Sequence, residues 1–386
     1  MGATRLRYTS AFMTTPESPA RSHRDPAADT GPLPAPAELA RRILAGDDAA
    51  LDMPTLTRFL AGEGDVWELM AAADTLRRAR FGDRVHLCSI VNAKQGGCPE
   101  DCGFCSQSRH FSTGVSRERF LPADAMVAAS EKARRQGATA LGLVTATRGL
   151  DDDGKALEHM IAGVRAVRDA GHTEAHASLG FLSRDALVRL KDAGLTELNH
   201  NLETGRGYFS KIVTTHTYDE RIATIRAAKE LGLRTCVGGI FGMGEAPVHR
   251  AELALELRAL DVDEVPLNFL VSIEGTRLER VDPLAPLEIL RIIACFRLAL
   301  PRQNIFIAAG RTHLGQLMPL MFSAGASGMM VGDFLTTANR TVDDDLELLA
   351  QLGLVGLGCG EARPELRAAP TRGATQQSPA RLPVVA

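Results

Sequence analysis

Seven cysteines stand in this chain of 386 residues, and three of them share one short stretch, Gly96-Gly97-Cys98-Pro99-Glu100-Asp101-Cys102-Gly103-Phe104-Cys105. The spacing is C-x3-C-x2-C. Iron–sulfur clusters are held by cysteine thiolates, and a [4Fe–4S] cube takes four of them. Three closely spaced thiolates would leave one iron with an open coordination position, where a ligand can bind and react. Gly96, Gly97 and Gly103 free the backbone to wrap tightly round such a group. Zinc is the competing occupant. Its motifs usually pair two C-x2–4-C or H-x3–5-H halves, whereas here a single C-x2-C is extended by a third cysteine four residues upstream. The odd cysteine count and this clustering argue for metal binding in a reducing compartment rather than a disulfide framework.

Such a loop needs a frame. Short apolar segments recur at Val85–Val91, Ala140–Val144, Glu174–Leu179, Glu197–Asn201, Thr235–Ile240, Val265–Leu270, Ile305–Ala308 and Gly328–Val331. Amphipathic patterns fill the gaps, for example Pro122–Gln136, Leu157–Asp169, Arg184–Asp192, Tyr218–Leu231 and Pro286–Leu298. Eight strand candidates, each followed by a helix or a helix-length gap, predict parallel strands joined by right-handed crossovers. Eight units in about 250 residues fit a closed (β/α)8 barrel of the TIM type better than an open sheet. The cysteine loop then sits at the carboxyl end of strand one, the catalytic face of such a barrel. Three helical patterns precede it, at Ala37–Ala45, Pro54–Glu63 and Val66–Arg80. The expected organisation is a disordered segment 1–36, a helical extension 37–82, a barrel 83–358 and a loose tail 359–386.

Composition narrows the function classes. Apolar residues make up 45% and charged residues 24%, enough for a sizeable core. With 44 basic against 47 acidic side chains the net charge is −3, which asks for neither nucleic acid nor an anionic membrane as partner. Three tyrosines and one tryptophan leave little material for base stacking, and no apolar run is long enough to span a bilayer. The first 36 residues lack an apolar signal-peptide core. Arg5, Arg7, Arg21 and Arg24 faintly suggest a transit peptide, a pattern blurred by Glu17, Asp25 and several prolines. A cytoplasmic location is expected.

The cysteine motif, with Phe104 just before its last cysteine, resembles that of the radical S-adenosylmethionine (SAM) superfamily. The fuller string, Ser89-Ile90-Val91-Asn92-Ala93-Lys94 and then Cys98 through Cys105-Ser106-Gln107-Ser108, resembles the biotin synthases in particular. Further segments agree in order: Asn199-His200-Asn201-Leu202-Glu203-Thr204, Thr214-Thr215-His216-Thr217-Tyr218-Asp219-Glu220-Arg221 and Gly238-Gly239-Ile240-Phe241-Gly242-Met243-Gly244-Glu245. They continue through Pro266-Leu267-Asn268-Phe269-Leu270, Glu274-Gly275-Thr276, Ala309-Gly310-Arg311 and Leu335-Thr336-Thr337, so the resemblance spans roughly residues 65 to 354.

What the resemblance implies is a radical SAM sulfurtransferase that converts dethiobiotin to biotin. Its [4Fe–4S] cluster, on Cys98, Cys102 and Cys105, chelates SAM and cleaves it reductively to a 5′-deoxyadenosyl radical, which abstracts hydrogen from the substrate. Sulfur comes from an auxiliary iron–sulfur cluster, [2Fe–2S] or a variant. A flavodoxin- or ferredoxin-type electron donor and a homodimer are also implied. Phe104 would lie against the cofactor, and Asn201 and Glu203 would meet the SAM ribose and the substrate ureido group, although aspartate is more usual at position 203. Arg221 would pair with the methionine carboxylate of SAM, or else be an ordinary helix arginine. Gly238, Gly239, Gly242 and Gly244 would bring backbone up to adenine. Asn268 would face the substrate ring, and Thr336 and Thr337 its valerate carboxylate, unless these polar residues merely cap strand ends.

For the auxiliary cluster the resemblance supplies Cys236 and Arg311, but Gly142 and His176 stand where cysteines are usual. Histidine can ligate iron, as in Rieske centres, or be a satisfied core residue. Cys88 is a further candidate thiol, or plain core. A variant group of biotin synthases with a similar Cys-Ser-Ile-Val-Asn-Ala-Lys stretch and a differently ligated cluster is the nearer likeness, His176 apart. The alternatives are a related radical SAM maturase or mutase without sulfur insertion, and an iron–sulfur electron carrier. The carrier is disfavoured because such proteins normally use four thiolates.

Overall fold

The computed structural model describes residues 31–47, 50–332 and 340–357. Three helices come first, α1 (Pro36–Leu44), α2 (Met53–Leu60) and α3 (Val66–Phe81). Asp52 and Asp65 cap α2 and α3, accepting backbone N–H groups of Thr55 and of Trp67 and Glu68. The barrel then alternates strand and helix: β1 (Arg84–Lys94), α4 (Ala123–Arg135), β2 (Ala140–Thr145), α5 (Lys155–Ala170), β3 (Glu174–Ser178), α6 (Arg184–Ala193) and β4 (Leu195–Asn199). After α7 (Arg206–Ile212) and α8 (Tyr218–Glu230) come β5 (Arg234–Cys236), β6 (Gly239–Phe241), α9 (Pro247–Ala259), β7 (Glu264–Phe269), α10 (Pro286–Ala299) and β8 (Asn304–Ile307). A 3₁₀ turn at Arg311–Leu317, α11 (Leu320–Ser323), β9 (Gly328–Met330), α12 (Val342–Gln351) and a short β10 (Val355–Gly356) complete it. Helices α2 and α3 of the extension pack on α9 and α10.

All strands pair in parallel in the order β1-β2-β3-β4-β5-β7-β8-β9, and β9 returns to β1, so the sheet closes on itself. This is the eight-stave TIM-type barrel that the alternating pattern predicts. One stave departs from the expected continuous strand at 235–240. It is broken between β5 and β6, because the Gly238 carbonyl turns to accept the N–H groups of Leu202 and Glu203 instead of continuing the ladder. Only glycine fits there: a β carbon on Gly238 would lie 1.9 Å from the Pro266 carbonyl oxygen.

Alternation along each strand sorts its side chains into two cores. Leu87, Leu141, Leu143, Ala175, Ala177, Leu198, Val265, Leu267, Ile305, Ile307 and Met329 join the large apolar layer under the helices. Cys236, Phe306, Ala308 and Met330, with Ile90 against them, form a separate small cluster inside the lumen. Below it the lumen is polar, holding His86, His176, Glu197, Glu264 and Asn304, all buried. The expected segments 1–36 and 359–386 lie largely or wholly outside the described residues.

Candidate active site

The cysteine loop leaves the carboxyl end of β1 and is tied down by its own backbone. Lys94 Nζ donates to the carbonyls of Gly96 (2.7 Å) and Ala146 (2.9 Å), joining the exits of β1 and β2. Cys98 N–H donates to the Gln107 carbonyl (3.0 Å) and Arg109 N–H to the Cys98 carbonyl (2.8 Å), so the loop closes as a ring. Gly96, at φ 67°, is required: a β carbon would sit 2.4 Å from the Ser116 carbonyl oxygen. Cys98, Cys102 and Cys105 all line one cavity of about 330 Å³ at the carboxyl end of the strands, together with Phe104, Asn201, Glu203, Arg221 and Asn268.

The donor set fits a cube better than a single ion. Three thiols lining one cavity supply three of the four positions of such a cluster and leave one open. Burial pushes the Cys102 thiol far up, the Cys105 thiol up to about 11, and the Cys98 thiol up as well. Such thiols stay neutral until a bound cation displaces their protons.

A polar chain links this loop to the end of β4. The Glu100 carboxylate takes Arg148 Nη1 at 2.9 Å, the Thr215 hydroxyl at 2.5 Å, and His216 Nδ1. On the far side of the imidazole, Arg221 Nε donates to His216 Nε2 at 3.0 Å. That assigns the proton to Nδ1, shared with Glu100. Burial, then the Arg221 charge, lowers the pKa of His216 against the pull of Glu100, so the ring is neutral. Arg221 also donates to the Asn201 carbonyl (2.6 Å) and lies 3.5 Å from Glu203 Oε1. It is placed by α8, whose Thr217–Glu220 capping box fixes the helix start. Glu203 sits at φ 69°, a left-handed conformation that costs a non-glycine residue about 1–3 kcal/mol and concentrates at functional sites. Burial raises its pKa, opposed by Arg221.

Other expected residues have different placements. Asn268 lines the cavity, but its amide already bridges backbone, donating to the Gly239 carbonyl (3.2 Å) and accepting from Ala309 N–H (3.1 Å). Gly239 is explained by close packing: a β carbon would lie 2.6 Å from the Glu203 carbonyl oxygen and from Leu253. Gly242 and Gly244 serve a turn at φ 90° and 99°, where Glu245 accepts the N–H groups of Gly242 and Met243. These glycines therefore answer to the protein's own backbone. Thr336 and Thr337 lie outside the described residues.

Sequence reasoning passed over Glu100, Arg148, His200 and His216. His200 is 5% exposed, lines the cavity, and meets Phe181 edge-on at 5.2 Å between ring centroids. Burial, then Arg221 and His216, drive its pKa well below the ordinary value. The Glu100–His216 contact joins positions 116 apart. Both lie in segments that resemble the biotin synthases, but no spacing rule pairs them.

The residues expected to hold an auxiliary [2Fe–2S] cluster do not assemble. Cys236 faces the lumen and packs on Phe306, Ala308 and Met330. Arg311 is outside the barrel wall. Its guanidinium pairs with both oxygens of Asp345 on α12, at 2.7 and 2.5 Å, and lies 3.7 Å from the sulfur of outward-facing Met329. Gly142 contributes no side chain. His176 is fully buried between carboxylates, Nδ1 at 3.0 Å from Glu197 and Nε2 at 3.2 Å from Glu174, with Arg234 Nη2 at 3.3 Å. Cys88 shares the lumen face of β1 with His86 and Ile90 by alternation, and its thiol donates to the Ser89 carbonyl at 3.6 Å. The donors on this face do not fit a two-iron cluster of the expected kind.

Comparison with known proteins agrees with the fold and with the cysteine loop. The radical SAM superfamily pattern matches residues 93–257, and the biotin and thiamin synthesis associated domain matches 266–355. In solved structures, methylornithine synthase superposes with a TM-score of 0.71 at 20% identity, covering 83% of this chain and 98% of that one. The FeFe-hydrogenase maturase HydG of Carboxydothermus hydrogenoformans gives 0.71 at 17%, covering 84% and 79%. At those identities the likeness is one of fold. In sequence the chain is 44% identical over 318 residues to the biotin synthase of Trichlorobacter lovleyi, covering 82% of this chain and 95% of the relative. It is 45% identical over 300 residues to that of Nitratidesulfovibrio vulgaris, covering 75% and 82%. With that identity over nearly the whole relative, on a closed barrel whose first loop presents three thiols to the lumen, this chain belongs to the biotin synthase family of radical SAM enzymes.

Proposed function

We propose that this chain converts dethiobiotin to biotin by SAM-dependent sulfur insertion, the sulfur being supplied by an auxiliary iron–sulfur cluster of a kind other than the expected two-iron one. One observation carries the reading: Cys98, Cys102 and Cys105 share a single cavity with Asn201, Glu203, Arg221 and Asn268. When bound by the three thiolates, a [4Fe–4S] cluster with an open iron supplies reductive cleavage of SAM to methionine and a 5′-deoxyadenosyl radical. The chain's own groups bind and orient. Arg221 offers a guanidinium to a carboxylate, Glu203 accepts hydroxyl hydrogens, and Phe104, Ile90, Phe306 and Met330 give the cavity apolar walls that exclude water from a reactive radical. The Glu100–His216–Arg221 chain locks the loop to β4, so that the thiols and the SAM-binding groups keep one geometry. The electron comes from a flavodoxin- or ferredoxin-type donor, and the enzyme works as a cytoplasmic homodimer.

Anaerobic incubation of the iron-reconstituted protein with SAM, a reductant and dethiobiotin tests this. Biotin formation is the expected result, and Cys102→Ala should abolish 5′-deoxyadenosine production. A second reading, radical SAM chemistry without sulfur insertion, is favoured by the pairing of Arg311 with Asp345 outside the wall and by the lack of a side chain at Gly142. It predicts 5′-deoxyadenosine without biotin.

A further inference from the structure

The cysteine loop has two faces. Its inner face presents the three thiols to the SAM-side cavity, and its outer face walls a second cavity of about 570 Å³. Gly97 and Pro99, on either side of Cys98, and Ser106, next after Cys105, line that outer cavity. A single residue of backbone therefore separates it from two of the three ligand positions. Four cations also line it, Lys94, Arg109, Arg117 and Arg148, and among the described residues no carboxylate does. The chain as a whole carries a net charge of −3, so this face is positive against an acidic whole.

These charges are held in place by backbone. Arg117 rides on the stretch between the loop and α4, which is pinned where Glu118 N–H donates to the Gln95 carbonyl (3.0 Å) and Leu121 N–H to the Ala93 carbonyl (2.7 Å). The Thr113 hydroxyl ties the same stretch to the Ser106 carbonyl at 2.5 Å. The aliphatic stem of Arg117 lies across Gly97, where a β carbon would meet Arg117 Cδ at 2.9 Å. Burial, then the Arg117 charge, lowers the pKa of Lys94, so the two cations share one field. The acids of the loop are engaged on its other side: Glu100 holds Arg148, Thr215 and His216, and Asp101 takes the Thr214 N–H at 2.9 Å. Arg109 and Arg117 are exposed, and neither has a carboxylate partner among the described residues. A cleft lined by one sign of charge focuses its field and draws in a partner of the other sign.

We propose that the outer face of the cysteine loop, with Arg109 and Arg117 as its charged contacts, is the docking site of a small acidic electron-transfer protein. This rests on the function proposed above, which consumes one electron for each SAM cleaved. In the docked complex the carrier is oxidised by one electron, the cluster on Cys98, Cys102 and Cys105 is reduced by one, and no atom or proton changes hands. Docking on this face leaves the inner cavity to SAM and dethiobiotin, so reduction and substrate binding do not compete for space. The positive lining meets the acidic surface of the carrier and steers the encounter. A free inorganic anion is the other occupant that such a lining could hold, and the experiment separates the two.

The test uses the full-length chain, its cluster reconstituted without oxygen, and a purified bacterial flavodoxin of net negative charge as probe. Surface plasmon resonance measures association and dissociation rates across a salt series. The on-rate of the unaltered chain should fall steeply with salt. The double variant Arg109→Gln, Arg117→Gln should lower the on-rate about tenfold at low salt and flatten its salt dependence, with a smaller change in off-rate. Arg226→Gln, which removes an exposed charge of α8, should leave both rates as they were. Release of 5′-deoxyadenosine driven by limiting pre-reduced flavodoxin should fall about tenfold in the double variant, while release driven by dithionite should stay within about twofold. An unchanged on-rate in the double variant, or an equal loss in Arg226→Gln, would overturn the proposal. So would an equal loss with dithionite, which would mean that the two arginines serve the loop itself. Saturable binding of inorganic phosphate, abolished in the double variant while flavodoxin association persists, would assign the face to a free anion instead. Docking rates need no turnover, so this proposal can fail while biotin still forms with dithionite, and the biotin assay can fail while the carrier still docks.

Discussion

Asp345→Asn should destabilise the protein severely without touching its iron content. Arg311 and Asp345 are both fully buried and joined by two parallel charge-assisted bonds at 2.7 and 2.5 Å. Removing one partner of a buried pair leaves an uncompensated charge and costs about 3–5 kcal/mol. A guanidinium cannot shed that charge, whereas an orphaned carboxyl can neutralise itself by taking a proton. Asp345→Asn should therefore cost more than Arg311→Met. At about 2.1 cal/mol/K per residue, the roughly 320 described residues give an unfolding entropy near 0.7 kcal/mol/K, so the expected fall in Tm is about 4–8 °C. The double variant Arg311→Met, Asp345→Leu should recover most of the loss, since apolar replacement of a buried pair is often neutral or stabilising. Differential scanning calorimetry, with iron and sulfide counted on the same samples, is the assay. A fall of under 2 °C for Asp345→Asn would refute the reasoning. Loss of iron beyond the cube's four in Arg311→Met would show that the arginine serves a cluster after all.

Three further outcomes follow from the site. His200 and His216 both have pKa values lowered chiefly by burial, so the folded chain binds fewer protons than the unfolded one below pH 6.5. Stability is thus full above that pH and declines as pH falls from 6.5 toward the folded values, by up to about 1.4 kcal/mol per pH unit per histidine. His200→Asn should reduce the slope by about one proton in urea unfolding between pH 6.5 and 5.5. Glu203→Asn should keep stability within about 1 kcal/mol, because asparagine tolerates φ near 69°. It should slow SAM cleavage about tenfold or more through loss of a charged hydrogen-bond acceptor, measured as 5′-deoxyadenosine release. Gly238→Ala should yield little folded protein, because its β carbon would meet the Pro266 carbonyl oxygen at 1.9 Å. A normal thermal midpoint would disprove that account of the broken stave.

The barrel was legible because its signal is repeated and local. Eight short apolar runs separated by helix-length gaps leave few other topologies, and every strand expectation overlaps a stave. The cysteine loop was legible for the same reason, since its three ligands share ten residues. What escaped was pairing at a distance. Nothing in Arg311 announces that it belongs to Asp345, 34 positions on and outside the wall. The glycines after β5 suggested a ligand, because a glycine needed for backbone packing and one needed for a bound ring look alike in sequence.

The two ends of the lumen differ in how they can change. At the carboxyl end the ligands lie on one loop closed by its own hydrogen bonds, so the set is kept or lost as a unit. On the floor, donors come singly from β1, β3, β4, β5, β7 and β8, each on a rigid strand with its direction fixed by alternation. A substitution there changes one donor and leaves the frame intact. There Arg234 and His176 stand beside Glu197, and Asn304 and His86 beside Glu264. The barrel accommodates such single substitutions because its stability rests on the apolar layer outside the strands, which none of these lumen residues enters.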